Sequence, residues 1–152
     1  GRRFQEHGVY WIEEPVPCED FTGYFRIAEA LDLRVVGGET HFTRYDLRPF
    51  FEHPKVPILQ PDVMRGGLTE LRRIAVLADT WGMRIAPHLF PELMVQLMAA
   101  IPNPHWIEYV DWLEDAWVAP VVPVDGRYRP PDRPGHGLAF KPDFLSEFAA
   151  AD

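Results

Sequence analysis

Five acidic or imidazole side chains recur at a near-constant interval, each closing a short apolar run. They are Glu13, Glu39, Asp62, His88 and Glu108, with gaps of 26, 23, 26 and 20 residues. A unit of roughly 25 residues, strand then helix, is the repeat of a βα barrel, whose site is assembled from the C-terminal ends of its strands. That rhythm predicts that residues far apart in sequence converge on one rim. Five beats are fewer than the eight of a closed barrel, and the 152 residues fall short of the ~250 that a whole barrel takes. The expected fold class is therefore α/β, a partial TIM barrel.

The runs between beats sort by period and punctuation. Val9–Ile12, Arg34–Gly38, Val56–Leu59, Met83–Ala86 and Trp106–Ile107 are short, mostly apolar and bounded by Gly, Pro or charge, as buried parallel strands are. Asp20 is placed to cap a helix with Tyr24, Ala28 and Leu31 on one face. Thr43 is placed to cap a second helix through about Glu52. Gly66 and Gly67 make a turn, after which Leu68, Leu71, Ile74, Ala75 and Ala78 stripe a third helix that Gly82 closes. Pro91 suits the first turn of a fourth, with Met94, Leu97, Met98 and Ile101 on its face. Arg2 to Gly8 read as the end of a helix, so the chain opens inside an element. Beyond Leu113 the pattern fades and five prolines fall between Pro120 and Pro134. Val121, Val122, Leu138 and Phe140 make this tail too apolar for a free linker.

Charge narrows the partners. With 23 acids against 15 bases and a net charge of −8, neither nucleic acid nor an anionic membrane surface is an expected partner. A small-molecule carboxylate remains admissible, because a bound cation reverses the local sign. Cys18 is the single cysteine and cannot form an internal disulfide. No run reaches the roughly 18 apolar residues of a membrane span, and no signal peptide opens the chain. A cytoplasmic location is the expectation.

Glu13 and Glu39 fall at adjacent strand ends. Two carboxylates so placed suit a hard divalent cation, Mg²⁺ above all; alternatively each is a solvated loop residue. Asp62 and His88 fall at the next two ends. A carboxylate on one imidazole nitrogen fixes the tautomer and leaves the other nitrogen as a general base. The alternative is a helix-capping aspartate and a histidine satisfied by a backbone carbonyl. Glu108 closes the set, and a protonated carboxyl there donates to a developing oxyanion. His41, two residues past Glu39, and Arg65 are candidate substrate contacts, as is Tyr45. His7, His53, His105 and His136 sit in helix ends or turns and read as structural. Gly66-Gly67 is not a phosphate loop, since neither a P-loop lysine nor GxGxxG accompanies it.

These residues carry a resemblance. Trp11-Ile12-Glu13-Glu14-Pro15, Gly38-Glu39, Gln60-Pro61-Asp62, Gly66-Gly67-Leu68-Thr69, Pro87-His88-Leu89 and His105-Trp106-Ile107-Glu108 resemble the enolase superfamily, mandelate racemase subgroup. Arg133-Pro134-Gly135-His136-Gly137-Leu138 resembles that subgroup's C-terminal return segment. The likeness covers essentially the whole chain. It implies roughly the last five βα units of a modified (β/α)7-8 barrel, normally capped by an N-terminal α+β domain. Residues 1–113 would be the barrel part and 114–152 the return segment packing on barrel or cap. It also implies Mg²⁺-assisted abstraction of the proton α to a carboxylate. By motif, Glu13 and Glu39 would be two of three metal ligands. His88 would be the base or acid on one face, oriented by Asp62, and Glu108 would hydrogen-bond the substrate carboxylate.

The departures are specific. The third ligand and the Lys-x-Lys base motif belong on earlier strands, and the two lysines here, Lys55 and Lys141, form no such motif. The turn from Asp62 to Gly66-Gly67 is one residue shorter than usual, where that family often has a Cys before the glycines. The His-Trp-Ile-Glu strand end resembles acid-sugar dehydratases, so dehydration of an aldonate or aldarate is expected. Racemisation or epimerisation of a 2-hydroxy acid is the alternative, and an inactive half-barrel that survives by assembly is the third. Open edges beside Val9–Ile12 and Trp106–Ile107 make a homo-oligomer the expected state.

Overall fold

The computed structural model describes residues 1–53 and 55–149. Helix α1 (Arg2–Glu6) ends before Gly8, whose φ of +70° is the left-handed stop expected of a helix C-terminus. Strand β1 (Trp11–Glu13) leads to α2 (Phe21–Ala30), which Asp20 caps by accepting from the Gly23 N–H at 2.8 Å. Tyr24 and Ala28 are its buried stripe. Strand β2 (Arg34–Val36) pairs parallel with β1, Glu13 lying opposite Val36.

Thr43 caps only one turn, its Oγ1 accepting from the Asp46 N–H at 3.4 Å. Asp46 Oδ2 accepts from the backbone N–H groups of Phe42 and Thr43 and from Thr43 Oγ1. The helix expected through Glu52 shrinks to α3 (Arg48–Phe51), because Pro49 in its first turn has no N–H to extend a longer ladder backwards. Strand β3 (Ile58–Leu59) follows, then α4 (Val63–Thr80). The glycine pair breaks α4 as expected: Gly67 has φ 72° and ψ 166° inside it. A Cβ at Gly66 would sit 2.5 Å from the Phe42 carbonyl oxygen, so no larger residue fits that approach. Strand β4 (Arg84–Ile85) and α5 (Pro91–Ala100) complete the regular part, with Pro91 at the first turn of α5.

All strand pairings are parallel. The bridge Gly37↔Leu59 joins the β1-β2 pair to the β3-β4 pair, so one arc runs β1-β2-β3-β4. The expected fifth strand at Trp106–Ile107 is not formed. Pairing with β4 falls two residues earlier, through Ile85↔Pro104, with Ile85 N–H on Asn103 O at 3.0 Å and His105 N–H on Ile85 O at 2.8 Å. A strand with one neighbour keeps only half its ladder, and Pro104 removes a further donor.

The core lies between the arc and its helices. Leu59, Leu71, Ile74, Ala75, Ile85 and Met94 are each 1% exposed or less. Burying a Leu or Ile side chain is worth about 1.5–3 kcal/mol, which is why these short strands hold without long ladders. Asn103, 7% exposed, ties the layers by donating to Ala75 O at 3.0 Å and Met83 O at 2.8 Å. The tail folds back on α5: Trp117 Nε1 donates to Glu92 at 3.1 Å and its ring stacks on Phe140 at 4.3 Å. A short helix, α6 (Pro142–Glu147), ends the described chain. No helix of the described residues is long and apolar enough to cross a membrane.

Candidate active site

Because the strands are parallel, their C-terminal ends face one way, and the residues that follow them share a rim. Glu13 ends β1, Glu39 lies three residues past β2, Asp62 caps α4 after β3, and His88 lies three past β4. The backbone itself pairs Asp62 with His88 in a parallel bridge.

Asp62 both caps α4 and meets the His88 ring, and among the described residues no backbone carbonyl accepts from that ring. Asp62 Oδ1 accepts from the Met64 N–H at 2.6 Å and so caps α4. Its Oδ2 lies 3.0 Å from His88 Nδ1. An ionised carboxylate only accepts, so it selects the Nδ1–H tautomer and leaves Nε2 with its lone pair. That Nε2 faces Glu39 Oε2 at 3.4 Å, a loose contact. Asp62 is 7% exposed and His88 half-buried, so the pair is anchored yet reachable.

Carboxylates crowd this rim. Burial pushes the Glu39 carboxyl above its ordinary range; Glu14, Glu13 and Glu108 push the same way by charge, and the His88 imidazole opposes them. Four carboxylates within electrostatic reach of one point, all hard oxygen donors, match what a small divalent cation neutralises. Among the described residues no group of three or more His, Cys, Asp or Glu is placed to hold a metal ion.

The loop after β4 is conformationally costly. Leu89 and Phe90 are consecutive left-handed residues, at φ 50° and 48°. The turn aims the Leu89 N–H at Glu108 Oε2, 2.8 Å away, and thereby ties the last beat to the histidine loop. Glu108 reaches the rim although its strand is absent.

His41 and Arg65 each lie against aromatic rings. The His41 ring packs on Phe21 at 5.5 Å and Phe50 at 5.7 Å, and among the described residues it makes no hydrogen bond or ion pair with Glu39 or His88. Arg65, exposed in the first turn of α4, lies 5.5 Å over the Phe42 ring, and Tyr45 is engaged by Arg44 at 2.8 Å. His53 stacks on Phe25 at 4.0 Å and His105 on Trp106 at 4.5 Å, as structural histidines would. Two contributors carried no sequence signal of their own. Glu14, at φ 37°, accepts from the Gly38 N–H at 3.2 Å, and Gln60 donates to Glu13 at 2.6 Å. Each contact spans more than twenty residues, and only the strand register brings the partners together.

The enolase C-terminal domain-like family model matches residues 1–144. L-talarate/galactarate dehydratase of Salmonella typhimurium LT2 is 34% identical over 147 residues, covering 92% of this chain and 35% of the relative. 3,6-anhydro-alpha-L-galactonate cycloisomerase of Streptomyces coelicolor is 32% identical over 143 residues, covering 93% and 40%. The chain thus spans less than half the length of these curated relatives. The crystal structure of L-talarate dehydratase from Polaromonas sp. JS666, complexed with Mg and L-glucarate, superposes with a TM-score of 0.86 at 35% identity, over 95% of this chain and 41% of that one. A strand-end set of carboxylates around an aspartate-anchored histidine, on a fold matched along nearly its whole length, places this chain in the enolase superfamily, mandelate racemase subgroup.

Proposed function

We propose that this chain supplies the acid/base side and two metal ligands of a Mg²⁺-dependent site that dehydrates a sugar acid. The observation that carries the reading is the histidine anchored by Asp62, Nδ1 at 3.0 Å, with Nε2 turned toward Glu39 at 3.4 Å. With Nδ1–H fixed by Asp62, Nε2 is the basic nitrogen. It takes a proton from the carbon α to the substrate carboxylate or, once protonated, hands one to the departing β-hydroxyl. The C–H electron pair becomes the new double bond, the β C–O bond breaks, and water leaves. Glu13 and Glu39 would hold the cation, whose charge stabilises the anion that forms on the substrate carboxylate. Glu108, steadied through the Leu89 N–H on Oε2, would in its protonated form donate to that carboxylate as charge builds. The oxygen-only donor set and the like-charge pressure on Glu39 support the metal assignment.

The relatives' names support sugar acids as the substrate class, and galactarate, L-talarate and L-glucarate are the first compounds to test. A complete protein containing this chain, with Mg²⁺, should convert one of them to a keto-deoxy acid, and His88→Asn in that protein should abolish the conversion. Full activity in His88→Asn would sink the base assignment. A second reading, isomerisation, draws on the cycloisomerase relative. It predicts a product of unchanged mass, whereas dehydration lowers the mass by one water.

A further inference from the structure

Gln60 follows β3 and is 5% exposed. Its backbone N–H donates to Gly37 O at 2.9 Å, which fastens the residue into the seam between β2 and β3. Its side-chain Nε2 donates to Glu13 Oε2 at 2.6 Å, across 47 residues of sequence. A carboxylate accepts and never donates, so this contact settles the amide's orientation: the NH₂ group meets Glu13 and Oε1 points elsewhere. Oε1 is buried and has no partner among the described residues. An apolar side chain of the same length would have left no unmet acceptor there. The amide's one side-chain bond is to Glu13, and among the described residues the Glu13 carboxylate has no other hydrogen bond.

We propose that Gln60 is a positioning residue that fixes the Glu13 carboxylate for divalent-cation binding. The inference rests on the cation site proposed above. Glu13 is exposed at the rim, and without this bond it would be free to swing away from Glu39, with which it interacts as a like charge. The amide occupies one carboxylate oxygen and leaves the other without a protein hydrogen bond. Being neutral, it does so without cancelling the negative charge that a cation needs. A lysine or arginine at position 60 would hold Glu13 equally well and cancel that charge. Gln60 and Glu13 also line one cavity of about 260 Å³ together with Glu108 and Pro87, so the held carboxylate opens onto the space beside the histidine loop.

The test is Mn²⁺ binding to the purified protein without substrate, by calorimetry and electron paramagnetic resonance, in the parent and in Gln60→Met. Met keeps the length of the side chain and removes the donor. Loss of a group that orients a metal ligand lowers affinity by about 10–100-fold, and that drop is expected here with little change in thermal stability. Equal Mn²⁺ affinity in parent and variant overturns the positioning role alone. A parent that binds no Mn²⁺ refutes the cation site and this inference with it. Should Gln60→Met fail to fold, the parent still decides the matter by nuclear magnetic resonance. The Gln60 side-chain NH₂ signals should move when Mg²⁺ is added, and signals that stay in place overturn the proposal.

Discussion

Asp62 uses its two oxygens for different partners, and replacing it separates stability from chemistry. Asp62→Ala removes the cap on the Met64 N–H and leaves the His88 Nδ1–H without its acceptor. Loss of such a cap costs about 1 kcal/mol. An abandoned donor costs about 1–3 kcal/mol, toward the lower end here because His88 keeps some contact with water. The total is about 2–3 kcal/mol, which for a domain of this size lowers Tm by about 4–12 °C. Asp62→Asn behaves differently. Its single oxygen can serve the Met64 N–H or the imidazole, not both. If it keeps the cap, its NH₂ faces Nδ1 and drives the ring to the Nε2–H tautomer, so stability is nearly preserved while the basic nitrogen is lost. A wrong tautomer of this kind costs on the order of 10⁴ in turnover. Thermal denaturation reads the first effect, and ¹⁵N chemical shifts of His88 read the tautomer whether or not substrate is turned over. An Asp62→Asn protein that retained the Nδ1–H tautomer and full turnover would refute the assignment, as would an Asp62→Ala protein with unchanged Tm.

Three further outcomes are expected. The backbone N–H of Arg44, then the side chains of Arg73 and Arg44, hold the Glu70 carboxyl below its ordinary value of 4.5. Its depressed folded-state value means that Glu70 adds stability above pH 4.5 that is lost as pH falls through that lower value; the acid-side fall in Tm should be shallower in Glu70→Gln, and identical slopes would contradict it. Asn103→Ala removes the donor of the Met83 carbonyl and the second donor of the helical Ala75 carbonyl and should cost about 1–3 kcal/mol by denaturant titration; a loss under about 0.5 kcal/mol would mean that water replaces the amide. The outer edge of β1 has no partner strand among the described residues, and Trp106 beside it is 50% exposed, so the 152-residue chain should self-associate in light scattering; a stable monomer would contradict this.

The rim was legible in the sequence because parallel βα units repeat at a nearly fixed length, so a functional residue at each strand end leaves a periodic mark. Asp20, Gly8, Pro91 and the glycine pair were legible for a local reason, since each dictates the backbone at its own position. What was hidden depended on partners. Trp106–Ile107 has a strand-like composition, but a ladder needs neighbours on both sides, and here pairing falls instead at Asn103–His105. The helix expected after Thr43 was curtailed by Pro49, whose missing donor outweighed a valid cap. Gln60 stood inside a recognised motif yet carried no sign of its bond to Glu13, because that contact is a product of strand register. The packing of His41 on Phe21 and Phe50 is likewise a product of the fold and carried no mark in the sequence.

The left-handed pair at Leu89 and Phe90 sets a limit on improving this protein by design. Each residue costs about 1–2 kcal/mol in that conformation, so a stability screen would favour glycine at Leu89, whereas glycine at Phe90 would also lose a side chain packed against the core. Glycine would relieve that cost and release the hinge between the histidine loop and Glu108, since a freer backbone no longer presents the Leu89 N–H at 2.8 Å. Under the function proposed above, variants selected for heat tolerance at Leu89 should drift toward loose substrate binding, and those selected for turnover should keep the bulky residue and its strain.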